Sequence, residues 1–169
     1  MSDYFETYRG AVLPWHCDMV EHMTIGSYYD RLGDAYVSFT EHMGLGADYR
    51  RDEQRAFAAV RTFSSLVREL RNGDVLHMEG GVAGIDRKLL RLCNNIYNSA
   101  TGELVSRFES QAIHFNLEAR RSAEIPQHTL DKLEAHKVPW ESPVVDRWFP
   151  ETTDGFAPTL RASVKMWEL

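Results

Sequence analysis

Residues 17–24, Cys-Asp-Met-Val-Glu-His-Met-Thr, form a polar stretch that leads directly into the longest helical pattern of the chain. Thr24 is a suitable N-cap, because its hydroxyl can accept a hydrogen bond from an unpaired amide of the first helical turn. Gly44 and Gly46 suit the end of the helix, where a left-handed residue is common. The pattern predicts an amphipathic helix of about 18 residues starting near Ile25. Its apolar positions are Ile25, Tyr28, Tyr29, Leu32, Ala35, Tyr36, Phe39 and Met43.

This stretch and the helix start together can support acyl-transfer chemistry. Asp18 can activate a water molecule or attack a carbonyl carbon directly. The amide of Ile25, with Gly26 beside it, can hold an oxyanion, because the first amides of a helix lack internal partners. His22 can orient Asp18 or the water, or donate a hydrogen bond to a substrate. The alternative is structural, with Asp18 closing an Asx-turn, His22 hydrogen-bonded in a loop and the helix end simply capped.

No metal site is expected here, although His16, Cys17, Asp18 and His22 are residue types that bind metals. Their spacing matches no strong zinc pattern, and adjacent residues 16–18 cannot easily all face one ion. The sequence also lacks the G-x-S-x-G, P-loop and G-x-G-x-x-G motifs, which excludes the common serine-hydrolase and nucleotide-binding patterns.

The rest of the chain predicts mainly strands. The expected elements are a strand at 9–16, a loop or short helix at 47–56, strands at 57–70, 75–86, 88–98 and 103–117, and a short polar helix at 126–136. Within 103–117, apolar residues alternate with His114 and Asn116, which is the period of a half-buried strand. Strands that follow one helix are typical of the α+β class, so we expect one long helix against a curled antiparallel sheet.

Composition limits the partners and the compartment. The chain has 169 residues, 43% of them hydrophobic, and a formal net charge of −6, so we expect one soluble domain and no nucleic-acid partner. No apolar run approaches the roughly 18 residues of a membrane span, and the polar N-terminus lacks the apolar core of a secretory signal. Cys17 and Cys93 are too few for a disulfide framework, which predicts a reducing cytoplasm.

Residues 138–169 differ from the preceding part of the chain. They contain four of the six prolines and three of the four tryptophans. A freely disordered tail rarely carries so many large aromatic side chains. We therefore predict a main domain at 1–137 and an irregular extension at 138–169 that packs on the body or on a partner subunit.

An ordered series of motifs carries a resemblance to a known family. The series runs from an opening strand through Asp18-x-x-x-His22-Met23, Tyr28-Tyr29 and the long helix to residues 68–74 (Arg-Glu-Leu-Arg-Asn-Gly-Asp), 86–89 (Asp-Arg-Lys-Leu), His114 and 121–126 (Arg-Ser-Ala-Glu-Ile-Pro). Over residues 9–135 the chain resembles hotdog-fold acyl-CoA thioesterases of the 4-hydroxybenzoyl-CoA thioesterase-like group. Within this group it is most similar to the betainyl-CoA thioesterases of carnitine breakdown.

The resemblance implies a hotdog fold and hydrolysis of a small or medium acyl-CoA thioester to free acid and coenzyme A. Asp18 would be the general base or nucleophile, the Ile25 amide the oxyanion donor and His22 an assisting group. The implied assembly is a homodimer or a dimer of dimers with the pocket at the subunit interface, and coenzyme A enters only as part of the substrate. The predicted substrate-binding residues are Thr24, Gly26, Tyr28, Tyr29, Arg61, Arg87 and Lys88.

Coenzyme A is a polyanion, so an acidic chain needs a local basic patch to bind it. Arg87 and Lys88, with Arg91 nearby, are the favoured candidates, because relatives place phosphate-binding basic residues at this position. The other candidates are the pairs Arg68 with Arg71 and Arg120 with Arg121. Each of these groups could equally be solvated surface charge.

Two residues depart from the family pattern, in which the loop usually reads Asp-x-x-Gly-His-Met-Asn. Glu21 replaces the glycine, so the loop gains a second carboxylate near Asp18 and loses the easy access to positive φ that glycine offers. Arg61 stands on the second strand, where many relatives carry a carboxylate. If Arg61 pointed inward, it would repel the trimethylammonium group of a betainyl substrate.

Two other functions remain open from the sequence. Hydratases and dehydratases of acyl thioesters share this fold, and the fold alone does not separate them from thioesterases. A non-catalytic module that binds acyl-CoA is the third hypothesis, kept open by Glu21 and by the aromatic extension.

Overall fold

The helical pattern that follows Thr24 forms one uninterrupted central helix, as predicted. In a computed structural model, which describes residues 4–142, this helix spans 18 residues, from Ile25 to His42. Thr24 caps it, since its Oγ1 accepts a hydrogen bond from the Ser27 amide at 3.2 Å. Gly44, at φ +67°, follows the end of the helix in the left-handed conformation. The elements are β1 (Phe5–Ala11), α1 (Ile25–His42), α2 (Ala47–Asp52), β2 (Arg55–Leu66), β3 (Val75–Ile85), β4 (Leu89–Asn98), β5 (Leu104–Asn116), β6 (Arg121–Ser122) and α3 (Gln127–Glu134).

The strands form one antiparallel sheet in the order β1-β3-β4-β5-β2, and the short β6 pairs with β5. The buried side of α1 packs on this sheet, and the core contains Leu32, Ala35 and Phe39 of the helix. The expectation of an α+β fold with a long helix against an antiparallel sheet is confirmed. Two short helices, α2 and α3, are also present. The sequence predicted α3, and for the region of α2 it predicted either a loop or a short helix.

Two strand predictions need correction at their ends. The opening strand is residues 5–11 rather than 9–16, because Pro14 fixes φ and has no amide to donate, and a single 3₁₀ turn forms at residues 14–16. The second strand ends at Leu66 rather than residue 70. The amides of Val67 and Arg68 both donate to the same carbonyl, that of Val105, so the ladder cannot continue.

The alternation predicted in β5 is present, and His114 lies on its more buried side. His114 is fully buried, whereas Leu117 is 38% exposed. Two neighbouring groups make burial of the imidazole possible: the Tyr49 hydroxyl at 2.8 Å from Nε2 and the Ala123 carbonyl at 3.1 Å from Nδ1. A buried polar side chain with both polar atoms bonded avoids the cost that excludes most polar residues from a core.

Residues 136–142 start beside α1, where His136 packs on Phe39 and His42, and continue to the opposite face of the sheet. The Val138 amide donates to the Val82 carbonyl and the Val82 amide donates to the His136 carbonyl, so the segment pairs with the edge of β3, and the Val138 side chain packs on Gly81. Trp140 donates its indole N–H to the buried carboxylate of Glu109 at 2.9 Å and stacks under the guanidinium of Arg107. The start of the extension therefore packs on the body. The rest of the predicted extension lies outside the described residues.

Candidate active site

The polar stretch before α1 folds back on itself as a tight hairpin. The amide of Asp18 donates to the carbonyl of His22 at 2.9 Å, and the amide of Thr24 donates to the carbonyl of His16 at 2.9 Å. Residues 16–18 thus run antiparallel to residues 22–24. Asp18 is paired with His22, which is two residues before Thr24, the N-cap of α1. Because a strand rises about 3.3 Å per residue, Asp18 lies about 7 Å along the hairpin from Thr24. The hairpin therefore brings Asp18 to the same end of the molecule as the start of α1.

The carboxylate of Asp18 has one bonded and one open oxygen. Oδ1 accepts hydrogen bonds from the amides of Val20 at 2.9 Å and His22 at 3.1 Å, which is an Asx-type turn. Within the described residues Oδ2 has no hydrogen bond, and the side chain is exposed. The structural alternative and the catalytic reading are thus compatible, since Oδ1 fixes the loop and Oδ2 stays available for chemistry.

The start of α1 leaves two amides open for a ligand. The amide of Ser27 donates a hydrogen bond to the Thr24 hydroxyl, and the amide of Tyr28 donates to the Thr24 carbonyl. In residues 4–142 the amides of Ile25 and Gly26 meet no acceptor, as expected at a helix N-terminus. Ile25 is 55% exposed, and a Cβ added to Gly26 would meet only the Thr24 hydroxyl, at 3.9 Å. The backbone here is accessible and carries the partial positive charge of the helix end.

Glu21 keeps the backbone conformation that glycine would favour. Its φ is +65°, and its amide donates to the Asp18 carbonyl at 3.1 Å to close the hairpin tip. Glu21 therefore adopts the positive φ without the easy access to it that glycine has. The turn imposes this conformation, and the exposed side chain, which attracts Arg71, extends into solvent.

His22 contacts a carboxylate that the sequence did not single out. Its Nε2 lies 2.9 Å from Oε2 of Glu69, and the other oxygen of Glu69 accepts from Arg71 at 2.7 Å. Arg71 lowers the pKa of Glu69 below its ordinary value of 4.5, mainly by this hydrogen bond. Glu69 lies in the motif at residues 68–74. Only the turn residues of that motif, 72–74, predicted a structural feature, so the sequence alone provided no reason to select Glu69.

His22 and Glu69 line a cleft of about 320 Å³ at the start of α1. Tyr28 forms part of its wall, and burial raises the pKa of its phenol to about 12, so the side chain is neutral. Tyr29 is 41% exposed and packs edge-on against Phe108. The two adjacent tyrosines thus have different positions, Tyr28 in the core beside the cleft and Tyr29 at the surface of the helix.

Arg61 points away from the helix. Its strand neighbour Thr62 faces α1, because the Thr62 hydroxyl lies 2.9 Å from that of Ser110 on the inner face of β5. Successive side chains of a strand point to opposite faces, so Arg61 lies on the outer face, beside Gln111 of β5. The repulsion of a cationic substrate, which required Arg61 to point inward, does not arise within this subunit.

The predicted basic patch is rearranged. Arg87 and Lys88 are the central residues of the two-residue hairpin between β3 and β4, and Arg87 is paired with Glu124. Lys88 instead lines a cleft of about 500 Å³ together with Arg55 and Arg121. The register of the sheet assembles this cleft, because Asn116 of β5 pairs with Arg55 on one side and Arg121 on the other.

The other basic candidates do not join this cleft. Arg91 lies 3.9 Å from the buried Glu109, Arg68 pairs with Glu103, and Arg71 pairs with Glu69. Arg121, from the third candidate pair, is the one that the structure brings to Lys88. The sequence did not point to Arg55, because its place in the cleft depends on the pairing of residue 55 with residue 116, which are far apart in the chain.

Residues 4–142 contain no group of three or more histidine, cysteine, aspartate or glutamate side chains placed to hold a metal ion. In the same part of the chain no helix has the length and apolar character needed to span a membrane.

The chain is similar in sequence to proteins that are named betainyl-CoA thioesterases. It is 34% identical over 125 residues to an L-carnitine dehydrogenase/betainyl-CoA thioesterase of Agrobacterium fabrum (strain C58), which covers 74% of this chain and 25% of that protein. It therefore spans about a quarter of the length of that relative. It is 24% identical over 135 residues to a betainyl-CoA thioesterase of Pseudomonas aeruginosa, covering 80% of this chain and 85% of that protein.

The fold is also found in solved structures. A hypothetical protein from Staphylococcus aureus, solved in complex with CoA, superposes with a TM-score of 0.75 at 20% identity, over 95% of this chain and 98% of the other. This likeness supports the hotdog fold that the resemblance implied. Residues 12–133 match the thioesterase-like superfamily. This match includes the Asp18 hairpin, the central helix and the whole sheet except its opening strand, and the chain belongs to the thioesterase-like superfamily.

Proposed function

We propose that the protein is an acyl-CoA thioesterase, which hydrolyses a small or medium acyl-CoA thioester to a carboxylic acid and coenzyme A. The observation that carries the proposal is the hairpin that holds Asp18 beside the open amides of Ile25 and Gly26. Membership of the thioesterase-like superfamily and the names of the similar proteins support the same reaction.

Asp18 acts in one of two ways. As a general base it removes a proton from water while the water oxygen bonds to the thioester carbon. As a nucleophile its Oδ2 bonds to that carbon and expels the thiolate, and water then cleaves the resulting anhydride. In both routes the carbonyl oxygen becomes an oxyanion, to which the Ile25 amide donates a hydrogen bond. The C–S bond breaks, and the thiolate leaves as coenzyme A after it gains a proton.

We place the phosphates of coenzyme A in the basic cleft. Within one subunit this cleft and the cleft beside His22 lie at opposite ends of β2, since Arg55 and Leu66 are roughly 36 Å apart along the strand, so the basic cleft would serve the active site of a second copy. Lys88, Arg55 and Arg121 supply three cations around about 500 Å³ of open space, while the carboxylate at the rim, Glu124, is already paired with Arg87. An acidic protein needs such a local patch to attract a polyanion. Arg87 therefore has a smaller direct role in this proposal than Lys88. We also place the enzyme in a reducing compartment such as the cytoplasm, since Cys17 and Cys93 are both unpaired.

The proposed assembly is a homodimer or a dimer of dimers. β2 is a 12-residue strand at the end of the sheet, and its outer edge lacks a partner in residues 4–142. An open edge of this length favours pairing with a second copy. The neighbouring face of α1 exposes Ile25, Tyr29 and Val37, so a second copy would also cover the helix start and the cleft beside it.

The test is release of free thiol from short, branched, aromatic, hydroxy- and betainyl-CoA esters by wild type and Asp18→Asn. We expect the variant to lose about 10²- to 10⁴-fold in kcat, the usual contribution of a general base. Asparagine keeps an oxygen at Oδ1 for the amides of Val20 and His22, so the loop should stay intact. Asp131→Asn, an exposed change on α3, is the matched control and should keep wild-type turnover.

Other outcomes decide between the hypotheses. Full turnover by Asp18→Asn on the best ester would overturn the mechanism. A change at an enoyl chromophore without thiol release would identify a hydratase. Tight binding of acyl-CoA with no thiol release from any ester would identify a binding module.

A further inference from the structure

We infer that Glu69, held in place by Arg71, is a positioning residue that fixes the ring of His22 with its proton on Nε2 and leaves Nδ1 as the proton acceptor. The inference rests on the proposed function, because it concerns how His22 assists the reaction. It gives the carboxylate of Glu69 a role that neither the motif nor the similarity to known proteins assigns.

The proton assignment follows from the contact itself. Nε2 of His22 lies 2.9 Å from Oε2 of Glu69. A carboxylate only accepts hydrogen bonds, so the ring nitrogen facing it must carry a proton. A neutral imidazole has one N–H, and its other nitrogen is then an acceptor. The His22 ring therefore presents Nδ1 as a base, and in its neutral form it has no second N–H to offer a substrate.

Glu69 is itself held by a second contact and by a fixed backbone. Its Oε1 accepts hydrogen bonds from Nη2 of Arg71 at 2.7 Å and from Nε at 3.2 Å, which keeps it ionised and oriented. The amide of Arg71 donates to Asp74 Oδ2 at 2.7 Å in the predicted turn, where Gly73 has a φ of +93°. The carboxylate therefore approaches the ring from an anchored segment.

The catalytic hairpin is tied to the same segment. The amide of Met23 donates to the carbonyl of Leu70 at 2.8 Å, and His22 and Arg71 form an antiparallel bridge. Backbone pairing thus places Arg71 opposite His22, with Glu69 two residues away on the same segment, so the side chains of His22 and Glu69 start from neighbouring backbone positions. The two side chains also line the same cleft, so the ring that Glu69 holds borders open space at the start of α1, beside the proposed oxyanion donor. An isolated surface ion pair would have neither feature.

The test combines kinetics with nitrogen NMR of the histidine rings. In wild type at pH 8, we expect the His22 ring to carry its proton on Nε2. Glu69→Ala should remove the preference of the proton for Nε2. It should also lower kcat about tenfold with little change in KM, because a tenfold rate loss corresponds to the free energy of one lost hydrogen bond. Glu69→Gln should retain part of the Nε2 preference and part of kcat, because the glutamine amide oxygen can still accept a hydrogen bond from Nε2. Glu103→Ala, which removes a carboxylate of similar exposure paired with Arg68, is the matched control.

The outcomes separate this inference from the proposed function. If the ring keeps its Nε2 proton in Glu69→Ala, or if the proton moves while kcat stays at the wild-type value, Glu69 does not position His22 for the reaction and the inference is overturned. If wild type releases no thiol from any ester, the thioesterase proposal fails. The NMR comparison would then still decide whether Glu69 fixes the ring.

Discussion

Glu21 is held in a backbone conformation that costs an L-amino acid free energy. Its φ of +65° lies in the left-handed region, where the side chain crowds the backbone by about 1–2 kcal/mol. The hairpin tip enforces this φ, since the Glu21 amide must reach the Asp18 carbonyl. Strain of this kind, in a loop that carries the candidate base, is common at functional sites.

Glu21→Gly should therefore raise the free energy of unfolding, by about 0.5–1 kcal/mol. The relief of about 1–2 kcal/mol exceeds the roughly 0.5–1 kcal/mol that glycine loses through the greater freedom of the unfolded chain. Urea unfolding measures the difference. Glu118→Gly, an exposed loop position without positive φ, is the control and should lose stability. A Glu21→Gly protein less stable than wild type would mean that the glutamate side chain stabilises the loop.

Residues whose role depends on local structure were predictable, and those placed by distant pairing were not. Thr24 as N-cap and the hairpin turn at Gly73 follow from residue type and near neighbours, and both are confirmed. Arg55 and Arg121 meet Lys88 only through the register of β2, β5 and β6. A single sequence holds no signal for such a register, which is why the basic cleft was only partly anticipated.

At the scale of elements, one buried histidine connects two helices to the sheet. His114 of β5 contacts the hydroxyl of Tyr49 in α2, and that oxygen accepts a hydrogen bond from Thr129 in α3 at 3.3 Å. The periodicity of residues 113–117 predicted a half-buried strand, but it holds no information about polar partners supplied by other elements. The helices provided those partners, and the imidazole became the inward side chain.

This connection predicts a loss of stability in weak acid. Burial, aided by nearby Arg55, lowers the pKa of His114 below its ordinary value of 6.5, against smaller opposing effects from Ala123, Glu124 and Glu53. Below pH 6.5 the unfolded chain therefore binds a proton at this site that the folded chain does not. Stability then falls as pH decreases from about 6.5 towards the folded pKa, by up to about 1.4 kcal/mol per pH unit.

His114→Asn should reduce this pH dependence, and urea unfolding at pH 7 and pH 5.5 measures it. We expect the loss of unfolding free energy between the two pH values to be about 1 kcal/mol smaller than in wild type. Asparagine can still donate to the Ala123 carbonyl, which limits the damage at pH 7. His128→Asn, on the exposed surface of α3, is the control. An unchanged loss in His114→Asn would place the acid sensitivity in another group.

At the scale of the whole molecule, the described subunit leaves an apolar surface beside an open strand. Ile25, Tyr29 and Val37 lie along one stripe of α1 at four- or eight-residue intervals, and Val37 is 65% exposed. A small cavity joins this stripe to the edge strand, since Val37 of α1 and Phe57 of β2 both line it. Stripe and strand edge thus form one continuous surface, which is the surface that a second copy would cover.

Val37→Lys tests this arrangement directly. Lysine within the apolar contact of the proposed dimer would be desolvated without a partner, so the dissociation constant of that dimer should rise tenfold or more, equivalent to about 1.4 kcal/mol. Sedimentation equilibrium measures the constant, and thiol release at the same concentrations shows whether activity follows the dimer. Val75→Lys is the control, since Val75 is also an exposed valine but lies on β3, three strands from β2. A wild-type protein that is fully active as a monomer would contradict the arrangement, because the cleft at the start of α1 would then be complete within one subunit.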